Sequence, residues 1–153
     1  MGAGIATALL LLGSQVHLIE RTADIAAAAL DADTLAVSVK RGAIAPEKAD
    51  TALSRLTAGD DYATLADCPL VIEAVFEDMT VKQQVFARLD EVMPPDAVPA
   101  SNTSYLDVNV LAAQTRDPSR ILGLHFFASA MGLFGLTLNT GRTKGRVFRI
   151  HAG

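Results

Sequence analysis

Residues 71–90, VIEAVFEDMTVKQQVFARLD, decide the fold class, because an apolar run is followed at once by an amphipathic pattern. The run from Leu70 to Val75 predicts a buried β-strand. Residues 80–93 predict a helix whose inner face carries apolar side chains at helical spacing: Val81, Val85, Phe86, Leu89 and Val92. A buried strand that passes directly into such a helix is typical of α/β proteins.

The same alternation of helix and strand extends outward in both directions. We predict helices over residues 2–12, 22–41, 46–56 and 106–115, with Gly13 ending the first of them. We predict strands over residues 15–20, 97–102 and 120–127, and a further short strand from residue 56. Helices that alternate with short apolar strands imply an α/β fold with a mainly parallel sheet and helices on both faces.

The composition is that of one globular domain. Half of the 153 residues are hydrophobic, a fifth are charged, and the formal net charge is −4. This charge argues against a nucleic-acid-binding protein. All seventeen acidic residues precede residue 121, whereas the end of the chain is basic. The stretch GRTKGRVFR, residues 141–149, leaves open an arm that binds nucleic acid or another anionic surface.

The single cysteine, Cys68, excludes an intrachain disulfide and favours a reducing cytoplasm. Its place before Pro69, at the head of an apolar strand, indicates a buried and inert thiol. The opening run MGAGIATALLLLG lacks the basic start of a signal peptide and is shorter than the roughly 18 residues of a membrane span. We therefore expect a soluble, cytoplasmic protein with no membrane partner.

Polar side chains follow the predicted strands at their carboxyl ends, the edge at which open α/β sheets bind ligands. They are Glu20, Glu77, Asn102, Thr103, Ser104 and His125. The spacing from Gly2 to Glu20 is that at which an acid binds the adenosine ribose of a dinucleotide and repels a 2′-phosphate, so it favours NAD over NADP. A solvated strand-end acid is the alternative for Glu20. His125 is either a general base at this edge or a core histidine.

Four stretches together resemble a known family. MGAGIA (1–6), residues 71–90, ASNTSYL (100–106) and GLHFF (123–127) resemble, in order and spacing, the NAD-binding domain of the 3-hydroxyacyl-CoA dehydrogenases. The resemblance is greatest to the members that are fused to enoyl-CoA hydratases. It implies a Rossmann-type doubly wound fold and NAD-dependent oxidation of (S)-3-hydroxyacyl-CoA to 3-oxoacyl-CoA in fatty-acid β-oxidation.

The resemblance assigns the cofactor side of the site residue by residue. Gly2 matches the one glycine of the phosphate-binding fingerprint that this sequence retains, and Glu20 matches the acid that binds the ribose. Glu77, Lys82 and Asn102 match residues that contact NAD, and no metal is implied. The alternative for Lys82 is a solvent-facing lysine whose aliphatic stem covers the helix surface.

The resemblance also assigns the catalytic side. Asn102 and Ser104 match the pair at the nicotinamide and the 3-hydroxyl of the substrate, and His125 matches the general base. A neutral imidazole takes the proton of the 3-hydroxyl while hydride leaves C3, and imidazole is well suited to proton exchange near neutral pH. The alternative for Asn102 and Ser104 is that they cap the next helix.

Two departures from the family pattern bear on activity. The fingerprint G-x-G-x-M-G begins here at its Met, so the first strand and the first two glycines are missing. The family also carries a glutamate twelve residues past the histidine that orients it, whereas this sequence has Thr137 there and no later acid. We therefore predict an incomplete NAD-binding domain over residues 1–127 and a divergent, irregular basic tail over residues 128–153.

These departures leave two functional hypotheses and, as a third alternative, a gene fragment with no stable fold. The first is an NAD-dependent oxidoreductase that acts on an acyl-CoA, with activity impaired in this chain alone. The second is a non-catalytic dinucleotide-binding fragment whose open sheet edges pair with a second copy of itself or with a chain that supplies the missing elements. Turnover of acetoacetyl-CoA with NADH separates them, because the second predicts cofactor binding without turnover.

Overall fold

The computed structural model describes residues 2–30, 33–128 and 134–139. Within these ranges the helices are α1 (Gly2–Leu11), α2 (Ala23–Leu30), α3 (Asp33–Lys40), α4 (Pro46–Leu53), α5 (Met79–Val92) and α6 (Val108–Ala112). The strands are β1 (Val16–Ile19), β2 (Leu56–Gly59), β3 (Leu70–Glu73), β4 (Val98–Asn102), β5 (Leu122–Ala128) and β6 (Phe134–Asn139). Short 3₁₀ turns lie at Tyr62–Leu65 and Pro118–Arg120.

The strands form two sheets. In one, β1 pairs in parallel with β2, and Val16 lies opposite Leu56. In the other, β3, β4 and β5 are parallel neighbours in that order, and β6 pairs antiparallel with β5. The described residues fall into two compact units: a first unit within residues 2–61 and a second unit within residues 62–139.

The first unit is a small α/β layer in which helices pack through short side chains. Its core contains Leu10, Leu35, Ala49 and Ala52. Helix α1 ends before Gly13, whose φ of +94° is a left-handed conformation that glycine adopts without a Cβ penalty. The Arg55 guanidinium donates to the Leu10 carbonyl at 2.8 Å, which satisfies one of the last carbonyls of the helix.

The second unit is built on β4, whose first four residues are all buried. Helix α5 is capped by Asp78, which lies directly before its first residue and whose side chain accepts a hydrogen bond from the Val81 N–H at 3.0 Å. The helix buries Phe86 and Leu89, at 0% and 1% exposure. Two apolar clusters fill the core, one of Phe86, Val108, Leu111, Ala112 and Ile121, the other of Val98, Ala100, Leu122 and Leu124.

Most of the predicted elements are confirmed, and so is the α/β fold with mainly parallel strands. The helix predicted over residues 22–41 is described as α2 and α3, with residues 31 and 32 outside the described residues. Cys68 is half-buried, and burial, with the Asp67 charge, raises the pKa of its thiol and favours the unreactive form. No helix in the described ranges is long and apolar enough to cross a membrane.

Three details of the prediction are wrong. The strand predicted from Leu70 to Val75 ends at Glu73, and Leu70 is 40% exposed because, among the described strands, β3 has a neighbour on one side only. Val81 lies in the first turn of α5 and is exposed instead of facing the core. The backbone of residues 134–139 forms β6 where an irregular tail was predicted. The basic stretch 141–149 lies outside the described residues.

Candidate functional site

The carboxyl end of β4 and the middle of β5, which continues past His125 to Ala128, bring a serine and a histidine together. Asn102, the last residue of β4, pairs with Leu124 in the parallel register, so the residues that follow on both strands emerge at the same edge. Ser104 Oγ lies 3.3 Å from His125 Nε2. Ser104 is exposed and His125 is half-buried, so this pair is accessible from solvent.

Asn102 connects the two strands at this edge. Its side-chain oxygen accepts a hydrogen bond from the Phe126 N–H at 3.2 Å, directly after His125. The amide of Asn102 therefore fixes the backbone on which His125 is carried. Neither Asn102 nor Ser104 caps a helix, because the N-cap of α6 is Asp107, whose carboxylate accepts from the Asn109 N–H at 2.9 Å. The capping alternative is wrong for both residues.

Glu77, in the loop after β3, holds the Ser104 loop in place. Its Oε1 accepts hydrogen bonds from the Thr103 hydroxyl and, at 2.9 Å, from the Ser104 N–H. Its Oε2 lies 3.4 Å from the Lys82 ammonium. Partial burial would raise the pKa of Glu77, but the hydrogen bonds from Thr103 and Ser104 and the charge of Lys82 outweigh burial and leave the pKa below its ordinary value of 4.5.

Lys82 lies in the interior of the second unit, with its side chain fully buried. Its ammonium contacts both carboxylate oxygens of Glu73, at 2.8 and 3.1 Å, and the Val75 carbonyl at 3.4 Å. The alternative of a lysine that covers the helix surface is therefore wrong. The ammonium reaches the edge of the sheet through Glu77.

A cleft of about 340 Å³ opens beside the Ser104–His125 pair. Its lining comes from residues 103–109, after β4, and from residues 123–125 of β5. Tyr105, at 77% exposure, offers an aromatic face at this lining. A concave surface with a few convergent polar groups is the usual form of a small-molecule site.

Glu20 and Gly2 belong to the first unit. Glu20 follows β1 directly, is half-buried, and donates its backbone N–H to the Gly59 carbonyl at 2.9 Å. Gly2 is the first residue of α1, and the first turn of this helix contains no acid. Of the residues predicted for the site, the structure brings Glu77, Lys82, Asn102, Ser104 and His125 together in the second unit.

Two residues of this arrangement were not found from the sequence, Glu73 and Ser101, and Thr103 was placed at this edge without a role. Glu73 carried a signal, since an acid inside an otherwise apolar strand must find a partner when it is buried. Ser101 carried none, because neutral hydroxyls are common near strand ends.

The geometry suits proton transfer to or from a hydroxyl group. An imidazole nitrogen and a serine hydroxyl at hydrogen-bonding distance, facing a cleft, can bind one substrate oxygen between them. Among the described residues, no group of three His, Cys, Asp or Glu side chains could hold a metal ion. The chemistry available to these residues is positioning and proton transfer.

Comparison with known proteins gives concordant matches. The family model described as "3-hydroxyacyl-CoA dehydrogenase, NAD binding domain" matches residues 1–133. A 3-hydroxybutyryl-CoA dehydrogenase of Mycobacterium tuberculosis is 42% identical over 130 residues, which cover 83% of this chain and 46% of that protein. A peroxisomal fatty acid beta-oxidation multifunctional protein of Oryza sativa subsp. japonica is 39% identical over 137 residues, which cover 85% of this chain and 18% of that protein.

A solved structure supports the same fold. The crystal structure of (S)-3-hydroxybutyryl-CoA dehydrogenase from Ralstonia eutropha matches with a TM-score of 0.88 at 27% identity. The match covers 94% of this chain and 51% of that one. The chain thus spans about half of the length of these relatives, or less.

Proposed function

Because this chain belongs to the 3-hydroxyacyl-CoA dehydrogenases, through their NAD-binding domain, we propose that it oxidises an (S)-3-hydroxyacyl-CoA to the 3-oxoacyl-CoA with NAD. The single observation that carries the proposal is the contact of Ser104 Oγ with His125 Nε2 at 3.3 Å, beside the cleft. A secondary alcohol placed in this cleft has a hydroxyl donor and an imidazole acceptor within reach.

Within each unit, taken by itself, the residue types suit one part of NAD. A carboxylate at the end of β1, Glu20, is suited to accept hydrogen bonds from two ribose hydroxyls. Helix α1 begins at Gly2 without an acid in its first turn, so its N-terminus is compatible with phosphate. Glu77 and Asn102 offer a carboxylate and an amide for the nicotinamide end. Bound there, NAD would supply the acceptor for the hydride from C3 of the substrate.

The chain's own residues position the substrate and move its proton. His125, as the neutral imidazole, accepts the proton of the 3-hydroxyl as the C3–H bond breaks. Ser104 donates a hydrogen bond to the same oxygen and so fixes it near His125. Asn102 orients the His125 backbone through Phe126. Lys82 acts through Glu77, since its ammonium is buried.

That this chain acts on an acyl-CoA and pairs with another protein is also proposed, because the chain spans only 46% of the Mycobacterium tuberculosis relative. We propose pairing with a second copy or with a chain that completes the sheet. The location is proposed to be the cytoplasm, although the Oryza sativa relative is named as peroxisomal.

The test is reduction of acetoacetyl-CoA by NADH, followed at the NADH absorbance. We expect His125→Gln to lower kcat by about 10²- to 10⁴-fold, the usual contribution of a general acid–base group. The matched control is His17→Gln, because His17 is an exposed histidine that contacts Thr57 at 2.6 Å in the first unit. Equal rates for the two variants would contradict the proposal.

A second candidate function is the non-catalytic fragment that binds the dinucleotide and pairs with another chain. The observation that favours it is the outer edge of β3, where Leu70 is 40% exposed and no described strand is paired. NADH binding measured by calorimetry, with no turnover of acetoacetyl-CoA by wild-type chain, would favour this candidate over the enzyme.

A further inference from the structure

Glu73 is a buried carboxylate at the end of β3 that the reaction itself does not use. Its side chain is 0% exposed and accepts hydrogen bonds from Lys82 at 2.8 and 3.1 Å, from the Ser101 hydroxyl at 2.6 Å and from the Val75 N–H at 2.6 Å. We propose that Glu73 is a positioning residue: it fixes Lys82, and through Lys82 the Glu77 carboxylate that orients Ser104 beside His125. Its kinetic consequence rests on the proposed function.

The first step is the placement of the ammonium. A buried charge requires a partner, and Glu73 supplies two carboxylate oxygens to Lys82. The Val75 carbonyl at 3.4 Å and Glu77 Oε2 at 3.4 Å complete the surroundings of the nitrogen. Because an ammonium has three N–H donors, this set defines its position. Without the Glu73 charge, Glu77 is the remaining carboxylate partner.

The second step is the orientation of Glu77. Its two oxygens have different tasks: Oε2 faces the Lys82 ammonium, and Oε1 accepts from the Thr103 hydroxyl and the Ser104 N–H. A displaced ammonium therefore rotates the carboxylate and weakens the hydrogen bond to Ser104. A small error in the position of a group that contacts the reacting atoms has a large effect on rate.

The third step compares Glu73 with another buried carboxylate of the second unit, Asp90. Asp90 is also buried and also holds cations, since its oxygens accept from Arg116 and Arg120 at 3.0 Å. These partners lie at the other end of α5 from Lys82. Asp90→Asn is therefore a matched control for the loss of one buried acid in the same unit.

The experiment is residue-resolved amide hydrogen exchange on the full chain without substrate, in wild type, Glu73→Gln and Asp90→Asn. We expect Glu73→Gln to raise the exchange rate of the Ser104 amide about tenfold relative to the amides of β4 and β5. The reason is that the Glu77 carboxylate, which accepts from the Ser104 N–H, is displaced. Asp90→Asn should change the Ser104 and strand amides by the same factor. If, in Glu73→Gln, the exchange rate of the Ser104 amide changes by the same factor as the rates of the β4 and β5 amides, the proposal is overturned.

Ser101→Ala covers the case in which Glu73→Gln does not fold. This variant keeps both charges and removes only the 2.6 Å hydrogen bond to Glu73. We expect the same selective rise at the Ser104 amide, of about threefold. A Ser104 exchange rate that rises no more than the rates of the β4 and β5 amides in the same variant overturns the proposal here as well.

Kinetics give a readout that loss of stability alone would not produce. We expect Glu73→Gln to lower kcat for acetoacetyl-CoA reduction by about 10- to 100-fold, whereas Asp90→Asn keeps the wild-type kcat. A Glu73→Gln variant with wild-type kcat would contradict the inference. If the wild-type chain has no turnover, the proposed function fails while the exchange comparison still decides the role of Glu73.

Discussion

At the scale of single residues, the site depends on how charge is placed at Glu77. This side chain is 26% exposed, yet it accepts hydrogen bonds from Thr103 and Ser104 and faces the Lys82 ammonium. Each of these neighbours favours the ionised form of the carboxyl group. The same contacts that order the Ser104 loop therefore also link the stability of the second unit to pH.

We expect this link to appear as a pH-dependent difference in the free energy of unfolding between wild type and Glu77→Gln. The pKa of Glu77 is lowered in the folded chain, so its contribution to the free energy of unfolding is present above pH 4.5 and is lost as pH falls through the folded value. Below that value the protonated Glu77 and a glutamine are close in shape and charge. Urea unfolding followed by far-UV circular dichroism at several pH values between 7 and 3 measures the difference.

The expected outcome is a less stable Glu77→Gln variant at pH 7 and a difference that shrinks below pH 4.5. Glu91→Gln is the control, because Glu91 is an exposed acid on α5 and its variant should match wild type throughout. A Glu77→Gln difference that is constant from pH 7 to pH 3 would show that the carboxylate charge has no part in the loop's stability.

At the scale of elements, α5 is anchored at both ends by carboxylates. At its start, Asp78 caps the helix through the Val81 N–H. Near its end, Asp90 Oδ1 accepts from the Arg120 guanidinium at 3.0 Å, and Arg120 also donates to the carbonyls of Pro94 and Ala97. This second cluster connects the helix, the loop after it and the 3₁₀ turn that precedes β5.

We expect Asp90→Ala to destabilise the chain by about 3 kcal/mol, because it removes the carboxylate at 3.0 Å and leaves the buried Arg120 guanidinium with Asp117 at 3.9 Å. The side chain of Arg120 is only 7% exposed, so water replaces the lost partner poorly. Glu91→Ala, one residue further along α5 and exposed, should change stability by less than about 0.5 kcal/mol. Urea unfolding measures both, and a loss below about 1 kcal/mol for Asp90→Ala would mean that this ion pair is replaceable.

At the scale of the whole molecule, sequence patterns predicted the features that depend on residues close together in the chain. Alternating apolar and amphipathic stretches gave the order of helices and strands, and the parallel sheet then placed Ser104 and His125 at one edge. The burial of Lys82 could not be predicted, because it depends on Glu73 and on the packing of α5 against the sheet. The pairing of β6 with β5 was missed, although residues 134–139, FGLTLN, carry an apolar residue at every second position, as a strand does.

Cofactor recognition is tested on the stability of the whole chain, because a ligand that binds only the folded state raises Tm. We expect NADH to raise the Tm measured by far-UV circular dichroism, with about 2.7 kcal/mol of stabilisation at 100 times Kd. NADPH should raise it less, since the Glu20 carboxylate after β1 repels a 2′-phosphate. Glu20→Ala should bring the two shifts together by weakening NADH binding and removing the repulsion. Equal shifts in the wild type would contradict the role of Glu20, and no shift with either cofactor would contradict dinucleotide binding by this chain.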